Sequence, residues 1–206
     1  MGKGRYYMLE GGEGCGKDYQ ADLLAPWLEK LGYKIILTKE PGGTKEAEEI
    51  RKILLDKNNK LSPTTELFLY EAARRELNEK IILPSINAGE IIISKRGFPS
   101  TYAYQGFGGG FNLNVIKEQN ELAMQNIMPD KIFIIDVNPK KGLKKEIDPD
   151  RFAQKGLEYH QKVRQGYLDF AKTYPNISII ISYIDGDPEK MQEQIRGHIK
   201  QDLGIK

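Results

Sequence analysis

With 206 residues, the chain is long enough for one substantial hydrophobic core and too short for two ordinary domains. Its 31 basic and 29 acidic residues nearly cancel, which excludes recruitment of nucleic acid or a membrane by bulk charge and makes any phosphate binding a local matter. A single cysteine excludes an internal disulfide framework, no apolar run approaches the length of a membrane span, and the opening MGKGRYYMLEGG lacks the apolar stretch of a signal peptide, so a cytoplasmic protein in a reducing compartment is expected.

Short apolar runs alternate with longer amphipathic ones along the chain. RYYML (5–9), KIILT (34–38), EIIIS (90–94), KIFIIDV (131–137) and ISIIIS (177–182) are rich in Ile, Val and aromatics, the composition of strands buried on both faces of a parallel sheet. Helical patterns lie between and beyond them at 17–31, 46–56, 64–87, 114–126, 151–174 and 188–203. Some of the Ile-rich runs have an alternative reading as buried helix, but their shortness and β-branching favour strand. The alternation predicts one α/β domain over 1–206, doubly wound, with a five-stranded parallel sheet and helices on both faces. Polar, irregular segments at 39–44, 95–113 and 138–150 are expected beyond the carboxyl ends of the strands, where such folds bind ligands.

The first strand runs straight into GGEGCGKD (11–18) and a helical pattern follows, which is the context a phosphate-binding loop requires. Gly11, Gly12, Glu13, Gly14, Cys15 and Gly16 would curl backbone N–H groups around the β-phosphate of ATP. The helix N-terminus adds a favourable dipole, and Lys17 would bridge the β- and γ-phosphates as a point charge. The predicted architecture is therefore the P-loop NTPase fold, serving phosphoryl transfer or a nucleotide switch. A GTPase is disfavoured because no guanine-reading Asn-Lys-x-Asp occurs. The pattern normally closes on Ser or Thr, whose hydroxyl touches magnesium, but here it closes on Asp18.

Further motifs, in order along nearly the whole length, resemble the thymidylate kinase family: TKEPGGT (38–44), ELFLYEAARRE (66–76), STYAYQGFG (100–108), PDKIFIIDV (129–137) and DRFAQKGLEYHQKVRQGYLDFA (150–171). That resemblance implies transfer of the ATP γ-phosphate to dTMP with Mg2+ as cofactor, in a homodimer. It implies that Glu13 meets the 3′-hydroxyl of dTMP and that Phe68 stacks on the thymine, the alternative for Phe68 being a core aromatic at helical spacing. Arg74 and Arg96 would hold the monophosphate, Gln105 would read the base edge, Tyr104 would exclude a ribose 2′-hydroxyl, and Pro41, Gly42 and Ser100 would line the acceptor site. The segment 138–155, with Lys140, Lys141, Lys144, Lys145, Arg151 and Lys155, would be a lid. Its basic run is either a solvated face or the source of the catalytic cations, Arg151 among them beside Lys17, Arg96 and Glu13.

The departures from the family pattern concentrate at the reacting centre. Lys95 replaces the acid of an Asp-Arg pair and Asp18 the metal-touching hydroxyl. Leu77, Gly109 and Ala153 stand where His, Arg and Glu are usual, and Lys39 and Lys144 or Lys145 where Arg is expected. Asp18 would either ligate magnesium directly or pair with Lys95 across the centre of the site, weakening magnesium–ATP binding. Two functions stay open: a dTMP kinase with impaired turnover, or a non-catalytic or engineered protein on that scaffold.

Overall fold

The structure, a computed structural model, describes residues 3–145 and 150–205. Five strands, β1 (Arg5–Gly11), β2 (Ile35–Lys39), β3 (Ile91–Lys95), β4 (Lys131–Asp136) and β5 (Ser178–Ser182), form one all-parallel sheet in the order β2-β3-β1-β4-β5. Burial on both faces holds for the central strands β1, β3 and β4. The edge strands β2 and β5 expose part of their apolar run, with Leu37 and Ile180 on the surface.

Alternation along the central strands divides the core in two. Tyr7, Leu9, Ile93, Phe133 and Ile135 face one side, covered by Leu24 and Leu28 of α1 (Lys17–Lys30) and by Ile195 and Ile199 of α9 (Pro188–Leu203). Tyr6, Met8, Ile92, Ile132 and Ile134 face the other, against Leu77 of α3 (Pro63–Leu77) and Tyr167 and Phe170 of α8 (Leu157–Thr173). Thr44 and Ser62 cap α2 (Lys45–Leu55) and α3 by accepting from the backbone N–H groups of Ala47 and Thr65. The helical pattern at 64–87 is one path with a widened middle: α3 passes through a π-helical turn, Asn78–Ile82, into α4 (Leu83–Asn87).

The expectation of irregular structure at 95–113 is corrected. A helical turn, α5 (Phe98–Thr101), runs into a π-helical stretch, Tyr102–Gly108, before α6 (Leu113–Met124) begins. Its glycines and polar residues read as loop, but Ala103, Tyr104 and Gln105 are buried, and packing against α8 holds the wide coil. In the expected lid a short helix, α7 (Pro139–Gly142), follows β4; residues 146–149 of that segment lie outside the described residues.

Leu24 is fully buried between α1 and the sheet, whereas Leu37 is 42% exposed on an edge strand. Leu24→Ala should lower unfolding free energy by about 2–5 kcal/mol and Leu37→Ala by less than about 1 kcal/mol, read from urea denaturation midpoints.

Candidate active site

β1 delivers the glycine loop to the carboxyl edge of the sheet. Gly11, Gly14 and Gly16 have φ of 142°, 62° and 83°, values that side chains resist, and Gly16 caps α1. A Cβ at Gly12 or Gly16 would meet nothing within 4 Å, so open space borders the loop at both positions. At Gly14 a Cβ would overlap the Gly142 carbonyl, because the loop and α7 touch backbone to backbone. Lys17 is buried at the start of α1, and Cys15 points its thiol into the core beneath the loop, where burial pushes its pKa up.

Arg96 leaves the end of β3 with φ 70°, a left-handed conformation costly for a side chain and found chiefly where function demands it. Ser94 Oγ donates to the Arg96 carbonyl at 2.7 Å, and the Arg96 amide donates to the Leu9 carbonyl at 3.0 Å. The guanidinium donates to both oxygens of Glu13 at 3.2 Å, to the Gly11 carbonyl at 3.1 Å and to the Tyr167 hydroxyl at 3.1 Å. Tyr104 completes the contact by donating its hydroxyl to Glu13 at 2.6 Å. Burial raises the Glu13 pKa, but Arg96, Lys17 and Tyr104 outweigh it and hold the carboxyl below its usual range. Beneath this layer Glu10, wholly buried, accepts from the Gly97 amide, Ser100 Oγ and Tyr167 Oη at 2.7, 2.8 and 2.9 Å. Burial raises its pKa against the opposing pull of Arg96.

These groups roof a cavity that is open to solvent. Glu13, Pro41, Arg74, Arg96, Ser100, Tyr104 and Gln105 line it, whereas Gly42 does not.

Several placements correct the sequence reading. Phe68 is 56% exposed and outside the cavity; Tyr70 is the aromatic of α3 that lines it. The buried face of α3 carries Leu67, Glu71 and Arg74, and at about 100° per residue Phe68 turns outward. Arg74 does not stand ready for a phosphate. It is 2% exposed and donates to Glu40 at 2.8 Å, Glu71 at 2.6 Å, Asn120 at 2.8 Å and Thr101 at 2.9 Å, which leaves one guanidinium hydrogen free. Arg51, unremarked in the sequence, also lines the cavity. It donates to the Pro41 carbonyl at 2.9 Å and has no carboxylate partner among the described residues. Its place at the helical i+7 position after the Thr44 cap was the available signal.

Arg151 turns away from the phosphate loop, donating to the Leu54 carbonyl and pairing with Glu66 at 2.7 Å. Lys141 and Lys145 reach Asp185, on the segment after β5. The expected Asp18–Lys95 pair does not form. Lys95 Nζ lies 2.5 Å from Asp22, and Asp18, 63% exposed, lies 3.8 Å from Lys17 Nζ. Helical side chains lean toward the N-terminus, so Asp22, one turn further along α1, leans back to meet the end of β3. Leu77 is a fully buried core residue, and a side chain at Gly109 would crowd the Gln105 carbonyl.

For magnesium the donor set is sparse. No three His, Cys, Asp or Glu side chains cluster to hold a metal among the described residues. Asp18, 63% exposed beside Lys17 at the start of α1, is the carboxylate that would meet a magnesium ion carried on bound phosphates.

Glu40 and Glu71 share one guanidinium, so the buried trio carries excess negative charge. Burial first, then the Glu71 charge, raise the Glu40 pKa to about 7 from 4.5, against the pull of Arg74. The folded state then holds a proton that the unfolded state releases above its ordinary pKa. The contribution of Glu40 to stability is full below pH 4.5 and is lost as pH rises through about 7. The urea midpoint of the native protein should therefore fall relative to that of Glu40→Gln between pH 5 and 8 (about the span of this titration); parallel midpoints would show that Glu40 binds no proton there.

Comparison with known proteins agrees with this geometry. The family model described as thymidylate kinase matches residues 9–195. The thymidylate kinase of Thermoanaerobacter sp. (strain X514) is 40% identical over 198 residues, spanning 95% of this chain and 94% of its own. That of Caldanaerobacter subterraneus subsp. tengcongensis is 39% identical over 198 residues, spanning 95% and 92%. The crystal structure of thymidylate kinase from Ehrlichia chaffeensis superposes with a TM-score of 0.80 at 31% identity, covering 97% of this chain and 99% of that one. An all-parallel P-loop NTPase sheet with a glycine loop above an arginine-lined cavity, matched at this identity over nearly its full length, places the chain in the thymidylate kinase family.

Proposed function

We propose that the protein transfers the γ-phosphate of ATP to the 5′-phosphate of dTMP, giving dTDP, at a rate held down by the charges at positions 18 and 95. One observation carries this reading: Glu13 belongs both to the phosphate loop and to the cavity below it, so donor and acceptor sites meet at one residue. On this reading the loop amides and Lys17 hold the donor phosphates, and Arg96 and Arg51 face the acceptor phosphate. Arg96 is pre-positioned by the Gly11 carbonyl and Glu13, so little rotamer freedom is left to lose on binding. Tyr70, rather than Phe68, supplies the aromatic face for the base. Burial keeps the Tyr104 phenol protonated and donating to Glu13, filling the space beside the sugar. Asp18 would stand beside a magnesium ion bound with ATP, which would supply neutralisation of the phosphate charge.

The second reading, a scaffold without turnover, is favoured by the Lys95–Asp22 pair, which puts an ammonium where the family pattern has a carboxylate. A coupled ADP-release assay with dTMP, ATP and magnesium separates the two. Measurable turnover that rises at least about tenfold in Lys95→Asp supports an impaired kinase. No turnover in either protein supports the scaffold.

A homodimer fits the outer surface of the helices. Ile53 on α2, Phe68 on α3 and Leu122 on α6 are exposed large apolar side chains, on helices that pack successively on one another. Sedimentation equilibrium should give twice the monomer mass, and Leu122→Glu should shift the protein toward monomer.

A further inference from the structure

Glu66, on α3 one turn before Tyr70, is 6% exposed, and both of its carboxylate oxygens are engaged. Oε1 accepts from Gln105 Nε2 at 2.7 Å, and Oε2 lies 2.7 Å from Arg151 Nη2. A carboxylate paired with a guanidinium only accepts, and a guanidinium only donates. The direction of the Gln105 amide is therefore fixed by chemistry: its NH2 must turn to Glu66. Its carbonyl oxygen, which meets no protein donor among the described residues, is left for the cavity that Gln105 lines.

We infer that Glu66 is a positioning residue for base selection, setting through Gln105 an acceptor on the cavity wall that admits pyrimidines with an N–H at ring position 3 and rejects cytosine. Thymine and uracil carry that N–H; cytosine carries a lone pair there, which would face the Gln105 oxygen and leave both acceptors unsatisfied. The inference rests on the acceptor-site reading above and adds to it the element that discriminates. Arg151 makes the polarity one-way. In Glu66→Gln the new amide must turn its oxygen to Arg151 and its NH2 to Gln105. Gln105 must then rotate, bring its own oxygen to that NH2 and offer its NH2 to the cavity. Shape is kept and the hydrogen-bond sense of the wall is reversed.

Calorimetry with dTMP, dUMP and dCMP on the full chain reads this directly. The native protein should bind dTMP and dUMP more tightly than dCMP. Glu66→Gln should weaken dTMP and dUMP by at least about tenfold and strengthen dCMP, lowering the dTMP-to-dCMP affinity ratio by about 100-fold. A merely structural role for Glu66 would weaken all three alike. Gln105→Leu, which removes the hydrogen-bonding edge, should level dTMP against dCMP. An unchanged ratio in folded Glu66→Gln, beside a selective native protein, would overturn the role of Glu66 alone. A native protein indifferent to dTMP and dCMP would overturn the acceptor-site reading and this inference with it. Should Glu66→Gln not fold, side-chain NMR of the native protein with dUMP decides. A nuclear Overhauser contact from the Gln105 NH2 to the Glu66 side chain supports the assignment, and one to the base overturns it.

Discussion

The guanidinium of Arg96, only 18% exposed, is the contact on which the site depends. It sits at the end of a central strand in a left-handed conformation, so the neighbouring structure must hold it there. That support comes from four elements at once: the Leu9 and Gly11 carbonyls of β1, Glu13 of the phosphate loop, Ser100 of α5 and Tyr167 of α8. Glu10 ties the last two back to the Gly97 amide. A cation removed from water costs several kcal/mol unless its partners are complete, and here they are completed by segments drawn from across the chain. The same cluster that fixes the arginine therefore fixes the loop, the cavity roof and α8 relative to one another.

A second buried arginine shows the opposite arrangement. Arg74 meets two carboxylates and two neutral acceptors, so its charge is spent inside the wall. The wall of the cavity on the α3 side therefore offers an anion no net positive charge. The attraction for an anion is concentrated at Arg51, which lines the cavity and makes no salt bridge among the described residues. An elongated ligand with one charged end would be oriented by that asymmetry before any base contact forms.

Much of the fold was legible because it rests on local chemistry. Short β-branched runs between amphipathic ones permit few arrangements other than a parallel sheet with helices on both sides, and glycines at unusual φ mark the loop wherever the spacing occurs. What escaped the sequence was helical phase and reach. Two aromatics two residues apart, Phe68 and Tyr70, face opposite ways, and only the packing of α3 decides which one meets the cavity. Asp18 and Asp22 are one turn apart on the same helix, and the lean of the helix gives Lys95 to the second. The wide coil at 102–108 exists because α8 covers it, a contact between segments about fifty residues apart that leaves no local periodicity to read.

Cys15 lies with its sulfur sealed between the phosphate loop and the β1 face of the core, and it is the only thiol in the chain. Burial shields it from reagents and also disfavours the reactive thiolate. The native state is thus chemically silent toward alkylating agents, and any labelling must pass through a state in which the loop has lifted off the core. The molecule carries an intrinsic clock for the opening of its own glycine loop. A ligand that seats in that loop should slow the clock as its occupancy of the loop rises.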